Sequence, residues 1–476
     1  MQTRDEGAGR RSQLLALLLL TVTLLWSDIE REVLYSVDGP FNALVGKELA
    51  QRPLAQWPVL TSYGQPFFGH PHLFFWTLGL TFKIFGVGTL PALVPGVTFG
   101  TLTVMVTYLL GRVLYDHHLG LISGLTLALT PVFIKLARNP MIDVGLMLFV
   151  YLSVYLAIGA CLRRRWRWAV GAGLAWGMAL LCKGPPALLA FAILIPFFAY
   201  AFFSTEIQET LDVRPSRIIP QMAILFGVGA FCVAVVDLWH FHMTGSSFFR
   251  TYFSGQVMSS VLDRSELHSH RQSLYYLSRL FSRNYVPWVM VAAVGPFLAV
   301  KRRDERAIAT AVFSWSAIVG TVLGFGVAAK KNEWYLSLLL PGLSLGVALT
   351  VRTLMATAVV DRFYGRVCST LAVGLLFLGA AFPSLFEYSR DWEYFLAEAG
   401  SVARQRLDGQ KIAVCIPLAP WRGPALVSFY LGAVSSACNE SVRFKIVRPG
   451  GAPPSAEYVD LYSGHTFSLL ERQGGG

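Results

Sequence analysis

Apolar residues run almost without interruption from Ser12 to Trp26. They do so again through residues 88–111, 119–137, 141–160, 168–182, 184–203, 220–241, 286–300, 307–329, 334–351 and 367–385. A hydrocarbon core about 30 Å thick needs roughly 20 apolar residues per helix, so these runs predict about eleven membrane-spanning helices. The segment Leu73–Gly86 is different, because fourteen residues rise only about 21 Å as a helix. It also carries Lys83 beside four phenylalanines and Trp76, and it reads as an interfacial helix lying on the membrane. The first run follows three arginines and closes on Trp26-Ser27-Asp28 without a small-residue cleavage pattern, so it is expected to be an uncleaved first helix.

Basic clusters orient the spans. With the first arginines inside and Leu73–Gly86 on the surface, Arg163–Arg167, Lys301–Arg303 and Arg362/Arg366 all fall on the cytoplasmic side, as the positive-inside rule requires. Counting Leu73–Gly86 as a span would reverse every later loop.

After Leu385 the pattern becomes that of a soluble chain. Short apolar segments at 411–416, 425–430, 442–447 and 457–462, separated by turns rich in Pro and Gly, predict strands of a small extracytoplasmic α/β domain. The division is then a transmembrane domain over 1–385, with a long first outer loop at 27–87, and a second domain over 386–476. Cys415 and Cys438 in the second domain are either a disulfide or two free thiols.

Composition sharpens this picture. Of 476 residues, 54% are hydrophobic and 14% charged, and mean hydropathy is +0.52. Soluble domains carry about 25% charged residues, so a soluble enzyme is excluded. The net charge of +12 sits in short clusters between apolar runs, which points to membrane lipids and phosphate groups, not nucleic acid. Six cysteines show no metal-ligand spacing.

The same orientation gathers Asp38, His70, His72, Arg138, Asp143, Lys183, the loop 242–285 and Lys330/Lys331 on the outer side. Asp38 lies in the first outer loop and suits a general base for an acceptor hydroxyl, or the cap of a helix starting at Pro40. Asp143 opens a span just after Arg138. Two carboxylates facing one cleft imply acid/base work or an intervening cation, while the local alternative is a helix cap paired with Arg138. Lys183 precedes a Gly-Pro-Pro turn between two apolar runs, where an ammonium calls for an anion such as a lipid phosphate or snorkels to the interface. Residues 262–285 interleave Arg264, His268, His270, Arg271, Arg279 and Arg283 with aromatics, a composition suited to a phosphate head group on an apolar chain. His70, His72, His268 and His270 are either ligands for a divalent cation or unligated loop histidines.

These residues, in this order and on one side of the membrane, resemble the polyprenyl-phosphate-dependent integral membrane glycosyltransferases of the GT-C class. Within it they are most similar to the aminoarabinose–lipid A transferases and bacterial enzymes like protein O-mannosyltransferases. The matching features are Asp38, His70-Pro71-His72-Leu73, Asp143, Lys183-Gly184-Pro185, Arg264 with His268 or His270 before Tyr275-Tyr276, and Lys331 with Tyr335 and Pro341. They cover residues 28–350. Two departures stand out: the family usually has Asp-Glu where this chain has Asp38-Gly39, and Lys-Pro-Pro-Leu where it has His70-Pro71-His72-Leu73. A histidine at position 70 would bind phosphate only when protonated, which would make activity pH-sensitive.

The resemblance implies a single displacement at the anomeric carbon of a polyprenyl-phosphate sugar, in the bacterial inner membrane, with the site on the outer face. Asp38 would deprotonate the acceptor, a lipid A-like glycolipid, a protein or a cell-wall polymer. Lys183, Arg264 and Lys331 would hold the leaving phosphate, with His70, His72, Arg138, His268, His270 and Tyr335 contributing to substrate binding. Asp143 would stabilise developing positive charge on the sugar. A transporter or flippase of polyprenyl-linked sugars is the competing class, and a silent lipid binder the third. Transporters place their ionisable residues near the midplane and show repeat symmetry, neither of which this sequence displays.

Overall fold

The computed structural model describes residues 2–34, 38–163, 165–211, 215–262, 274–282, 284–329, 331–355, 391–415, 423–436, 442–447, 458–463 and 467–472. Most of the chain is helical. Helix α1 (Gln2–Trp26) leads to the 27–87 loop, which holds α2 (Asp38–Ala50), a hairpin of β1 (Thr61–Ser62) and β2 (Gln65–Pro66), and α3 (Leu73–Phe85). There follow α4 (Thr89–Leu114), α5 (His117–Ala128), α6 (Pro131–Ala137), α7 (Ile142–Arg163), α8 (Trp166–Lys183) and α9 (Leu189–Phe203). After α10 (Thr205–Leu211) and α11 (Pro215–Thr244), α12 (Phe248–Tyr252) and α13 (Met258–Leu262) flank a π turn. Then come α14 (Tyr275–Leu280), α15 (Val286–Arg302), α16 (Glu305–Gly326) and α17 (Leu340–Leu354).

Among the described residues six helices are long and apolar enough to cross a membrane, and α5 with α6 make a seventh if that bent pair is one span. The apolar parts of α1 and α3 are shorter, and 367–385 lies outside the described residues. The run 119–137 is therefore not one straight helix. It breaks before Pro131, with a 67° bend, because proline supplies no N–H to the preceding turn and Thr130 is extended. As expected from its length, 73–85 is a short helix. Lys83 Nζ donates to Ala50 O and Arg52 O at 3.0 and 2.9 Å, satisfying carbonyls at and just past the end of α2.

Small residues set the helix packing. A Cβ on Gly173 or Gly177 would lie 2.6 or 2.7 Å from Val228 or Cys232 of α11, and one on Gly96 or Gly100 would meet Ala137. These glycines serve close helix contact.

The tail holds α18 (Asp391–Leu407), β3 (Lys411–Val414), α19 (Gly423–Leu431), β4 (Val434–Ser436), β5 (Phe444–Val447), β6 (Tyr458–Ser463) and β7 (Ser468–Arg472). The sheet order is β4-β3-β5-β7-β6, parallel around β3 and antiparallel around β7. Residues 425–430, expected as a strand, are helical. Pro424 in the first turn and Gly432 at φ +72° just past the end are ordinary helix start and stop signals. The run looked like a strand because this helix is buried between α18 and the 27–87 loop, so apolar residues surround it. Cys415 is disulfide-bonded.

Candidate functional site

Helices α7 and α8 pack closely and, joined by a two-residue connection, run antiparallel. The first turn of α7 and the last residue of α8 therefore meet at the same end of the pair, which brings Asp143 to Lys183 across forty positions of sequence. Lys183 Nζ lies 2.7 Å from Asp143 Oδ1, and both side chains are buried. The ammonium also sits 4.5 Å from the Tyr335 ring centroid, a cation–π contact. Gly184 allows the lysine to stand here. It adopts φ +68°, and a Cβ would come 2.8 Å from the Tyr252 hydroxyl, which itself donates to Lys183 O at 3.0 Å.

Asp38 reaches the same place from above. It occupies the first turn of α2, and Asn42 one turn later donates from Nδ2 to Pro140 O at 2.9 Å. That bond fixes α2 over the α6–α7 turn that carries Asp143. Burial holds the Asp38 carboxyl above the usual aspartate range; the Lys183 ammonium pulls it down and the Asp143 carboxylate pushes it up. Two carboxylates and one ammonium thus share a single field, with Tyr335 beneath them.

Next to Lys183 opens a cavity of about 320 Å³. His70, Lys183, Tyr252 and Tyr335 line its polar part, and residues of α9, α13 and α16 such as Leu189, Ala192, Val261 and Phe325 line the remainder. A charged end on an apolar slot suits an amphiphile with an anionic head. Tyr252, Gln256 and Ser260 of this wall, and Asn42 above it, carry no motif that sequence reading could have used; the aromatic run 248–253 was the sole hint.

His70 belongs to the cavity but not as a cation. Burial, reinforced by the Lys183 charge, pushes its imidazole down to about 3, and its buried Nδ1 has no hydrogen-bond partner among the described residues. His72 is placed elsewhere. It donates from Nε2 to Pro58 O at 2.8 Å, His240 Nδ1 donates to the same carbonyl, and Phe248 packs against the ring at 4.3 Å. Those contacts tie the 27–87 loop to α11, and His72 is not among the cavity walls. Arg138 does not meet Asp143 either. Its Nε and Nη2 bind Glu32 Oε1 at 3.0 and 2.8 Å, and Nη1 donates to Ser27 O at 2.7 Å, fastening the end of α1 to the α6–α7 turn. Lys331 donates to Phe325, Gly326 and Ala328 carbonyls, closing the C-terminal end of α16 behind the cavity wall. Arg264, His268 and His270 lie outside the described residues. Among the described residues no three His, Cys, Asp or Glu side chains cluster so as to hold a metal ion.

An apolar slot ending in a buried Lys–Asp pair, with Asp38 beside it, is found here on a largely helical scaffold, and that scaffold is similar to known proteins. The dolichyl-phosphate-mannose-protein mannosyltransferase family profile matches residues 69–237, which include His70, Asp143 and Lys183. ArnT from Cupriavidus metallidurans bound to undecaprenyl phosphate superposes with a TM-score of 0.65 at 13% identity, over 99% of this chain and 98% of that one. Its apo form gives 0.67 at 14% identity, over 98% of each chain. The chain has the fold of ArnT, and over residues 69–237 it is similar to that mannosyltransferase family. The archaeal oligosaccharyltransferase AglB from Archaeoglobus fulgidus, in complex with an inhibitory peptide and a dolichol-phosphate, gives a TM-score of 0.54 at 12% identity. That match covers 90% of this chain and 64% of AglB. No curated protein sequence matches the chain.

Proposed function

We propose that this protein transfers a sugar from a polyprenyl-phosphate carrier to an acceptor hydroxyl on the extracytoplasmic face of a bacterial inner membrane. The observation that supports this most is the Lys183–Asp143 pair at the polar end of an apolar slot, with Asp38 bearing on the same point. The positive-inside pattern that follows from the eleven-span reading of the sequence supports the orientation.

In this reading the acceptor oxygen bonds to the anomeric carbon as the bond from that carbon to the phosphate oxygen breaks. The acceptor proton passes to Asp38, and the lipid phosphate departs as an anion beside Lys183. A buried cation at the leaving oxygen stabilises charge that develops in the transition state, where such help counts most. Asp143 keeps Lys183 charged and aimed, and its carboxylate lies near the sugar as positive charge grows on the ring. Arg264, His268 and His270 are proposed to add cations to the phosphate end, and a glycolipid, a protein or a cell-wall polymer to supply the acceptor.

The test is turnover of radiolabelled polyprenyl-phosphate sugars by the purified protein with total membrane acceptors. Label appearing in an acceptor supports the reading and names that acceptor; lipid that binds without any transfer overturns it in favour of a flippase.

His70 carries a separate expectation. With its pKa near 3 the imidazole is neutral throughout pH 5–8, so it titrates no step in that window. His70→Gln therefore keeps transfer within about threefold of wild type and leaves kcat/KM against pH unchanged over pH 5–8. A limb near the ordinary histidine value of about 6.5 that vanishes in the variant would contradict this.

A further inference from the structure

The tail domain is fastened to both ends of the helix that carries Asp38. Four residues before Asp38, the buried Leu34 N–H donates to the Tyr430 hydroxyl of α19 at 2.9 Å. The Thr89 hydroxyl, at the start of α4, donates to the same oxygen at 3.3 Å. At the other end of α2, Lys47 Nζ donates to Ser428 O of α19 at 3.1 Å, in the field of Arg404 of α18 and of Asp408 just past that helix. Between the two ties, Phe429 packs against Phe82 of α3 with ring centroids 6.2 Å apart. On its inner side α2 is held to the α6–α7 turn by Asn42. The base-bearing helix is thus gripped between the membrane core and the tail, and each tail tie is a hydrogen bond to a buried or half-buried group.

We propose that Tyr430 is a positioning residue for the transfer reaction, through which the C-terminal domain sets Asp38 against the Lys183–Asp143 pair. The inference rests on the glycosyltransferase reading above. Tyr430 is not among the cavity walls, so it acts on Asp38 through α2, against which α19 packs. Without the Tyr430 hydroxyl the Leu34 N–H loses its acceptor, which costs a buried donor its partner. The packing of α19 on α2 then loosens, and displacements of about 1 Å at reacting groups cost roughly 10²-fold in rate. The lipid end of the site stands on α8, α9 and α16, none of which the tie touches.

The experiment is Tyr430→Phe in the full-length protein, assayed with the polyprenyl-phosphate sugar that wild type turns over. The expected result is kcat lowered about tenfold with KM for the lipid donor within twofold. The acidic limb of kcat should also move, because a displaced α2 shifts Asp38 relative to the Lys183 ammonium and Asp143 carboxylate that act on its pKa. Lys183, Asp143 and Tyr335 face that carboxyl and are unaltered, so the movement reports Asp38. A wild-type kcat, or a loss that merely tracks the folded fraction with the limb unmoved, overturns the proposal. Lys47→Met cuts the second tie without touching the tyrosine and carries the same expectation. If wild type transfers no sugar, the parent reading fails instead; wild-type turnover with an unmoved variant sinks the positioning role alone.

Discussion

Lys183→Met abolishes sugar transfer, with kcat/KM expected to fall by about 10³-fold, the scale seen when a donor aimed at developing negative charge is removed. The same change leaves the Asp143 carboxylate buried without its ammonium 2.7 Å away, and breaking a buried pair costs about 3–5 kcal/mol. Thermal unfolding in detergent should therefore show a destabilised protein, and lost activity alone would be ambiguous. The double variant Lys183→Met/Asp143→Leu resolves it. Replacing both members of a buried pair by apolar residues restores most of the stability, yet the phosphate still has no cation at the leaving oxygen, so transfer stays lost. Turnover returning with stability in the double variant would mean that the pair is structural and that the leaving group is handled elsewhere.

How far this site was legible in the sequence differs from residue to residue, for physical reasons. Asp143 and Lys183 both stood at outer ends of apolar runs, so charge parity alone put them on one face. Their direct pairing was hidden, because Arg138 is five residues from Asp143 and Lys183 is forty. In the fold Arg138 pairs with Glu32 near the end of α1, and Asp143 pairs with Lys183 of the antiparallel neighbour.

Lys331 and His72 belonged to motifs whose order was readable, but backbone carbonyls at the end of α16 and at Pro58 take up their donors. A sequence gives no sign of which carbonyls a fold leaves unsatisfied. The Asp38-Gly39 departure from the family's Asp-Glu acquires a reason from packing. A Cβ at Gly39 would stand 2.3 Å from the Asn139 side chain, so a glutamate here requires the Asn139 side chain to move aside.

Asp38→Asn gives the other large effect. Asparagine keeps the size of the side chain and its capacity to cap α2, but its amide oxygen has almost no basicity, so the acceptor proton has no destination. General bases contribute about 10²–10⁴-fold, and a loss near 10³-fold in kcat is expected with binding of the lipid donor nearly unchanged. The pH profile provides the sign. A base works only when ionised, so wild-type activity falls as pH drops through the Asp38 pKa. Burial raises that pKa above the ordinary aspartate value of about 3.9, and the acidic limb must lie higher than an exposed aspartate would place it. Raising the pH cannot rescue the asparagine variant, since it has nothing left to deprotonate, and its residual rate should lose that limb. An asparagine variant that transfers sugar at the wild-type rate, or one that retains the limb, would move the base to another residue. Asp143 would be a poor substitute, because ionised it is committed to Lys183, and protonated it could neither hold that lysine nor accept a proton.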